Sequence, residues 1–134
     1  MKFHYVGQQA KLRDSVGVED CLSVPSLNLI VNFTSCMFRV DLLRSLPERA
    51  FKPRLSEIVV AFIALKFGRI GYLDTPLNVW RNHEGSLWFG KTKLEQLKEA
   101  CEIRKTLRDV TGLKRLDAII ESYEQQINKL SRSL

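Results

Sequence analysis

The sequence predicts an α/β fold: a short mixed sheet, a buried helix across it, and a helical hairpin at the C-terminal end. Three observations predict it. The run SEIVVAFIALK, Ser56 to Lys66, shows no polar face until its end, as expected of a helix buried on all sides. Short apolar segments flank it, LNLIVNF before and RIGYL and PLNVW after, with the length and bounding residues of strands. Further on, Leu113, Leu116, Ile120, Tyr123, Ile127 and Leu130 alternate steps of three and four, which lays one apolar seam along a helix.

Taken in order, the first twenty residues carry no clear period beyond a strand candidate at Lys2 to Val6. His4 stands alone there and reads as an ordinary surface or packing histidine. Leu27 to Phe33 is almost wholly apolar, as in a strand covered on both faces. Asp41 to Leu46 resembles a short helix closed by Pro47, with Leu42, Leu43 and Leu46 spaced to face inward. Gly68 is expected to end the buried helix in a left-handed cap. RIGYL and PLNVW then surround the turn residues Asp74, Thr75 and Pro76.

After residue 90 the character changes. Lys93 to Val110 is a charged helix with Leu94, Leu97 and Cys101 on one side, and Thr111-Gly112 breaks it. The seam from Leu113 to Leu130 needs a partner helix, most simply the preceding one folded back as a hairpin. Residues 1–90 therefore read as the domain and 91–134 as a helical extension.

The totals bound the function. A chain of 134 residues can bury a sizeable core. A net charge of +6 and a pI near 9.4 favour anionic partners such as nucleotide phosphates, nucleic acid or acidic lipid. Nucleic acid is disfavoured, because the tail interleaves Glu95, Glu99, Glu102, Asp109, Glu121 and Glu124 with its bases and no recognition motif appears. Cys21, Cys36 and Cys101 are odd in number and form no CxxC pair, so neither a zinc site nor a disulfide framework is indicated. A reducing, cytoplasmic setting follows. The sequon Asn32-Phe-Thr34 lies in an apolar strand pattern without a signal peptide and is discounted. The longest apolar run, IVVAFIAL, is too short to cross a bilayer.

Common site signatures are missing: there is no P-loop, GxGxxG, GxSxG, HExxH or Asp-x-Asp. What remains is Glu57, then Arg81, His83, Glu84 and Ser86 between Trp80 and Trp88. Glu57, at the first turn of the buried helix, suits a general base or simply complements the helix dipole. His83 suits a divalent metal or a phosphate, or faces solvent. Arg81 pairs with a phosphate or lies along Trp80.

The order of these blocks resembles the C-terminal half of a family 2 glycosyltransferase of the GT-A fold. Ser35-Cys-Met-Phe-Arg39 leading into VDLLRSLP is similar to that family's strand-end motif and short helix. SEIVVAFIALKFG has the layout of its acidic base opening an apolar helix that closes on Gly, and IGYLDTPLNVWRNHEGS is similar to its final strand and Pro-Leu-x-Val-Tyr-Arg-x-His block. The match spans about Leu27 to Trp88.

The resemblance implies a partial GT-A-like mixed sheet and sugar transfer from a nucleotide-sugar donor to a saccharide or lipid-linked acceptor, as in polysaccharide biosynthesis. By the same resemblance Glu57 is the catalytic base and His83 a ligand of a divalent ion, Mg or Mn, on the donor diphosphate. Arg81, Ser86 and Trp88 contact substrate. The family's base is usually Asp, often after Glu, whereas Ser56-Glu57 stands here, one methylene longer. The family's nucleotide-binding strands and Asp-x-Asp are expected before Met1, so the chain alone is expected to be inactive. The inner face of the membrane is a further expected location. The competing expectation is a noncatalytic interaction module, whose basic hairpin self-associates or binds a protein partner or an anionic surface.

Overall fold

In a computed structural model, the described residues are 15–24, 27, 28, 33–71, 85, 88 and 90–133. Helix dominates them. Strand β1 is Ser15–Val16, and helices α1 and α2 are Val18–Ser23 and Val40–Arg44. Helix α3 is Glu57–Ala64, strand β2 is Ile70–Gly71, and helices α4 and α5 are Lys93–Thr111 and Leu116–Ser131. The chain divides into two compact units, Met1–Leu46 with Glu57–Asn82, and Pro47–Ser56 with His83–Leu134.

The α/β expectation is corrected here: the described residues hold no mixed sheet. Their one ladder is antiparallel and two residues long, Ser15 opposite Gly71 and Val16 opposite Ile70. The segment taken as the Leu27–Phe33 strand begins and ends in other conformations. Leu27 has φ 58°, in the left-handed region, and its N–H donates to the Val24 carbonyl at 2.8 Å to close a turn. Phe33–Ser35 is a 3-10 turn, followed by the Cys36 N–H on the Phe33 carbonyl at 3.1 Å. A short apolar run satisfies either a covered strand or a buried turn, and here Leu27 is buried without joining a ladder. The strand candidates at Lys2 to Val6 and PLNVW lie outside the described residues, as does RIGYL beyond Gly71.

In the first unit, α3 is the most apolar element, and Ile58, Val59, Val60, Ala61, Phe62 and Ile63 are all buried. With six consecutive residues covered, no face of the helix is left to solvent. Its end differs from the expected left-handed cap. The Lys66 and Phe67 N–H groups donate to the Ile63 and Ala64 carbonyls at 3.0 and 2.9 Å, tightening the last turn into 3-10 geometry. The described glycine with positive φ is Gly112, and Gly68 does not share that conformation.

Helix α2 buries none of its residues. Leu42 and Leu46 are half-buried, whereas Leu43, expected to face inward, is exposed along with Val40. Elsewhere in this unit the Gly17 N–H caps α1 on the Asp20 carboxylate at 2.8 Å, and the Arg69 guanidinium lies 3.8 Å from the same carboxylate.

The second unit is organised on α4. Its N-terminus carries a capping box: the Glu95 N–H donates to Thr92 Oγ1 at 3.2 Å, and the Thr92 N–H donates to the Glu95 carboxylate at 2.8 Å. These satisfy two of the backbone donors that a helix start leaves open. At the far end Gly112 takes φ 74° and its N–H meets the Arg108 carbonyl at 2.9 Å, a left-handed cap. The chain then winds through Leu113, Lys114 and Arg115, with the Leu116 N–H on the Leu113 carbonyl at 3.1 Å, into α5.

Helices α4 and α5 pack as an antiparallel hairpin. Arg108 pairs with Asp117 near the connection at 2.8 Å, and Lys105 pairs with Glu124 further along at 3.1 Å. Between these the Arg104 guanidinium lies 4.9 Å from the centre of the Tyr123 ring. Arg104 is only 5% exposed and its Nη1 donates to the Ala100 carbonyl at 3.1 Å. Burial draws its pKa below the usual guanidinium value, although the nearby Tyr123 and Cys101 oppose that shift. A 3-10 turn, Glu48–Phe51, also packs on α4, with Ala50 fully buried and the Thr106 hydroxyl donating to the Lys52 carbonyl at 2.7 Å.

Candidate functional site

Glu57 is the first residue of α3. It is half-buried, whereas Ser56 before it and the six residues after it are buried. An acid at this point lies at the positive end of the helix dipole. It is also the one residue of the Ser56–Ile63 run whose side chain solvent reaches to an intermediate degree, as a base requires if it is to meet a substrate hydroxyl.

Arg81, His83, Glu84 and Ser86 lie outside the described residues. Trp88 is described and half-buried. Its carbonyl accepts the Lys91 N–H at 3.3 Å and the Gln96 side-chain amide at 2.9 Å. The turn that ends the WRNHEGSLW segment is therefore fastened to the first turns of α4.

An ionic cluster centred on a mostly buried carboxylate lies beside that turn. The Glu99 carboxylate, with 11% of the side chain exposed, takes Arg54 on one oxygen and Lys91 on the other. Burial pushes the Glu99 pKa up, but Lys91 and Arg54 together outweigh it and hold the carboxyl below its ordinary value. Sequence reasoning passed over Glu99, Gln96, Arg54 and Lys91. The signal was there: Gln96 and Glu99 share a helical stripe with Ile103, Leu107 and Val110, so an acid stood at an inward-facing position of α4.

The depressed Glu99 pKa carries a sign. Because the folded value lies below the ordinary 4.5, ionised Glu99 stabilises the fold above about that pH. That contribution fades as pH falls through the folded value. Urea unfolding between pH 7 and pH 3 is expected to show Glu99→Gln less stable than the parent at neutrality, with the gap closing in acid. A gap independent of pH would contradict the pairing.

The described residues offer little metal chemistry. No three His, Cys, Asp or Glu side chains among them converge as a ligand set. His83, the ligand named from sequence, lies outside the described residues. Cys21, Cys36 and Cys101 form no disulfide, and burial, followed by the charge of Asp20, pushes the Cys21 thiol up to about 11, which keeps it protonated and unreactive at neutral pH. Among the described residues no helix is long and apolar enough to cross a membrane. In comparisons with protein-family models, curated proteins and solved structures, no match to this chain is found.

Proposed function

We propose that this chain is the acceptor side of a glycosyl transfer from a nucleotide-sugar donor to a saccharide or lipid-linked acceptor. The supporting observation is the placement of Glu57: a partly accessible carboxylate at the first position of a helix whose next six residues are buried. The surrounding motifs agree in order. Arg39 precedes the first residue of the short helix α2 directly after Cys36-Met37-Phe38, and Ile70-Gly71 is extended directly after α3 and its turn. In this proposal Glu57 removes the proton from the acceptor hydroxyl as its oxygen attacks the anomeric carbon, and the bond to the donor diphosphate breaks. Arg81, Ser86 and Trp88 contact substrate. A Mg or Mn ion held partly by His83 would neutralise the departing diphosphate. Donor-binding groups are supplied from outside this sequence, which has no phosphate-cradling loop or Asp-x-Asp. The work would take place in the cytoplasm, at the inner face of the membrane where the acceptor is lipid-linked.

The test is release of nucleoside diphosphate by a complete enzyme that includes this chain. Glu57→Gln and His83→Ala are each expected to abolish acceptor-dependent release while far-UV circular dichroism stays unchanged. Full activity in either variant would sink that residue's role.

A second function is favoured by one observation. Ile120, Ile127 and Leu130 of α5 remain half-buried although α4 packs beside them. In that case the hairpin associates with a second copy or a protein partner, and Ile127→Asp lowers the sedimentation coefficient of the assembly without touching transfer.

A further inference from the structure

The ionic cluster on α4 does more than neutralise charge. Two separate stretches of chain end on the same carboxylate: the loop following the Glu48–Phe51 turn, through Arg54, and the turn following the WRNHEGSLW segment, through Lys91. Arg54 and Lys91 are themselves 48% and 35% exposed, whereas Glu99 is 11% exposed, so the acid is the covered centre and the cations reach in to it. One turn earlier on the same face, the Gln96 amide donates to the Trp88 carbonyl at 2.9 Å and to the Lys91 carbonyl at 3.4 Å. Backbone and side chain of the Trp88–Lys91 turn are thus held at two heights of one helix. A fully exposed ion pair would add little, whereas this covered carboxylate needs its cations, since removing them would leave a mostly buried charge uncompensated.

We propose that Glu99 is a positioning residue, which sets where Trp88 stands by fixing Lys91 and the turn between them against α4. Its role toward an acceptor rests on the proposed glycosyl transfer, in which Trp88 contacts substrate; its effect on Trp88 itself does not.

The experiment uses the full chain with Trp80→Phe, which leaves Trp88 as the sole indole of the two. Acrylamide quenching of Trp88 fluorescence is compared with helix content by far-UV circular dichroism. Glu99→Gln is expected to raise the quenching constant about twofold, as a half-buried side chain is released by local opening, with helix content unchanged. Lys91→Met removes the same tie from the turn's side and is expected to do likewise. Glu99→Asp keeps the charge and is expected to restore most of the parent's protection, which a loss of bulk alone would not. Glu57→Gln is expected to match the parent. Unchanged quenching in both Glu99→Gln and Lys91→Met would overturn the positioning role, as would loss of helix in both, since Glu99 would then determine the fold. Neither result would touch the assignment of Glu57, which stands on nucleoside diphosphate release.

Discussion

Leu116→Ala is expected to lower the unfolding free energy by about 2–5 kcal/mol, measured by urea denaturation with circular dichroism. Leu116 has no exposed surface and is the first residue of α5, where the chain turns back after the Gly112 cap. Arg115 before it takes helical geometry and makes no side-chain cap, so α5 begins without the hydrogen-bonded lock that Thr92 and Glu95 give α4. Burial of Leu116 therefore carries much of what fixes the start of α5. Truncating it leaves a cavity at the closed end of the hairpin, where Arg108 and Asp117 make only a partly exposed pair. Ile127→Ala, at a half-buried position of the same seam, is expected to cost clearly less. Equal losses at the two positions would mean that the seam is covered evenly along its length. The same contrast separates folding from association. A substitution at Leu116 or at Tyr123, whose ring covers the Arg104 guanidinium, reports on the hairpin itself, so a test of self-association belongs at Ile127 or Leu130.

What could be read in the sequence was what local chemistry decides. The ends of α4 lie where Thr92 supplies a capping oxygen and Gly112 accepts a left-handed φ, both properties of single residues. The burial of α3 is written in its composition, since Ile58 to Ile63 offers no polar atom beyond the backbone. Periodicity alone starts α5 at Leu113, but periodicity does not distinguish a helical residue from the turn that leads into it. Leu113 and Lys114 belong to that turn. The expected sheet fails for a different reason. Strand identity depends on a partner, and nothing in LNLIVNF records whether one is present. Leu27, with φ 58°, is buried in a turn. The place of Glu57 at the head of α3 is legible from its position ahead of an apolar run. The inward-facing register of Glu99 is also legible, but its partners are not, because Arg54 and Lys91 reach it from separate stretches of chain.

Glu57→Gln is expected to reduce acceptor-dependent transfer by a complete enzyme containing this chain by about 10²- to 10⁴-fold, the range general-base catalysis supplies. The amide matches the carboxylate in size, so it keeps the packing at the start of α3 and removes only the group that takes a proton. Loss of the acid's attraction to the helix dipole is worth about 0.3–1 kcal/mol, far less than the burial of Ile58 to Ile63 provides. The rate should therefore collapse while the thermal unfolding curve hardly moves. Glu57→Asp separates position from charge. It keeps the base but draws the oxygens back by one methylene, and a misplacement of about 1 Å costs on the order of a hundredfold. Its activity should fall between parent and Gln variant. If Gln and Asp variants fall equally, the length of the side chain at the head of α3 matters and its proton does not, and Glu57 would be a helix-start acid with no part in the chemistry.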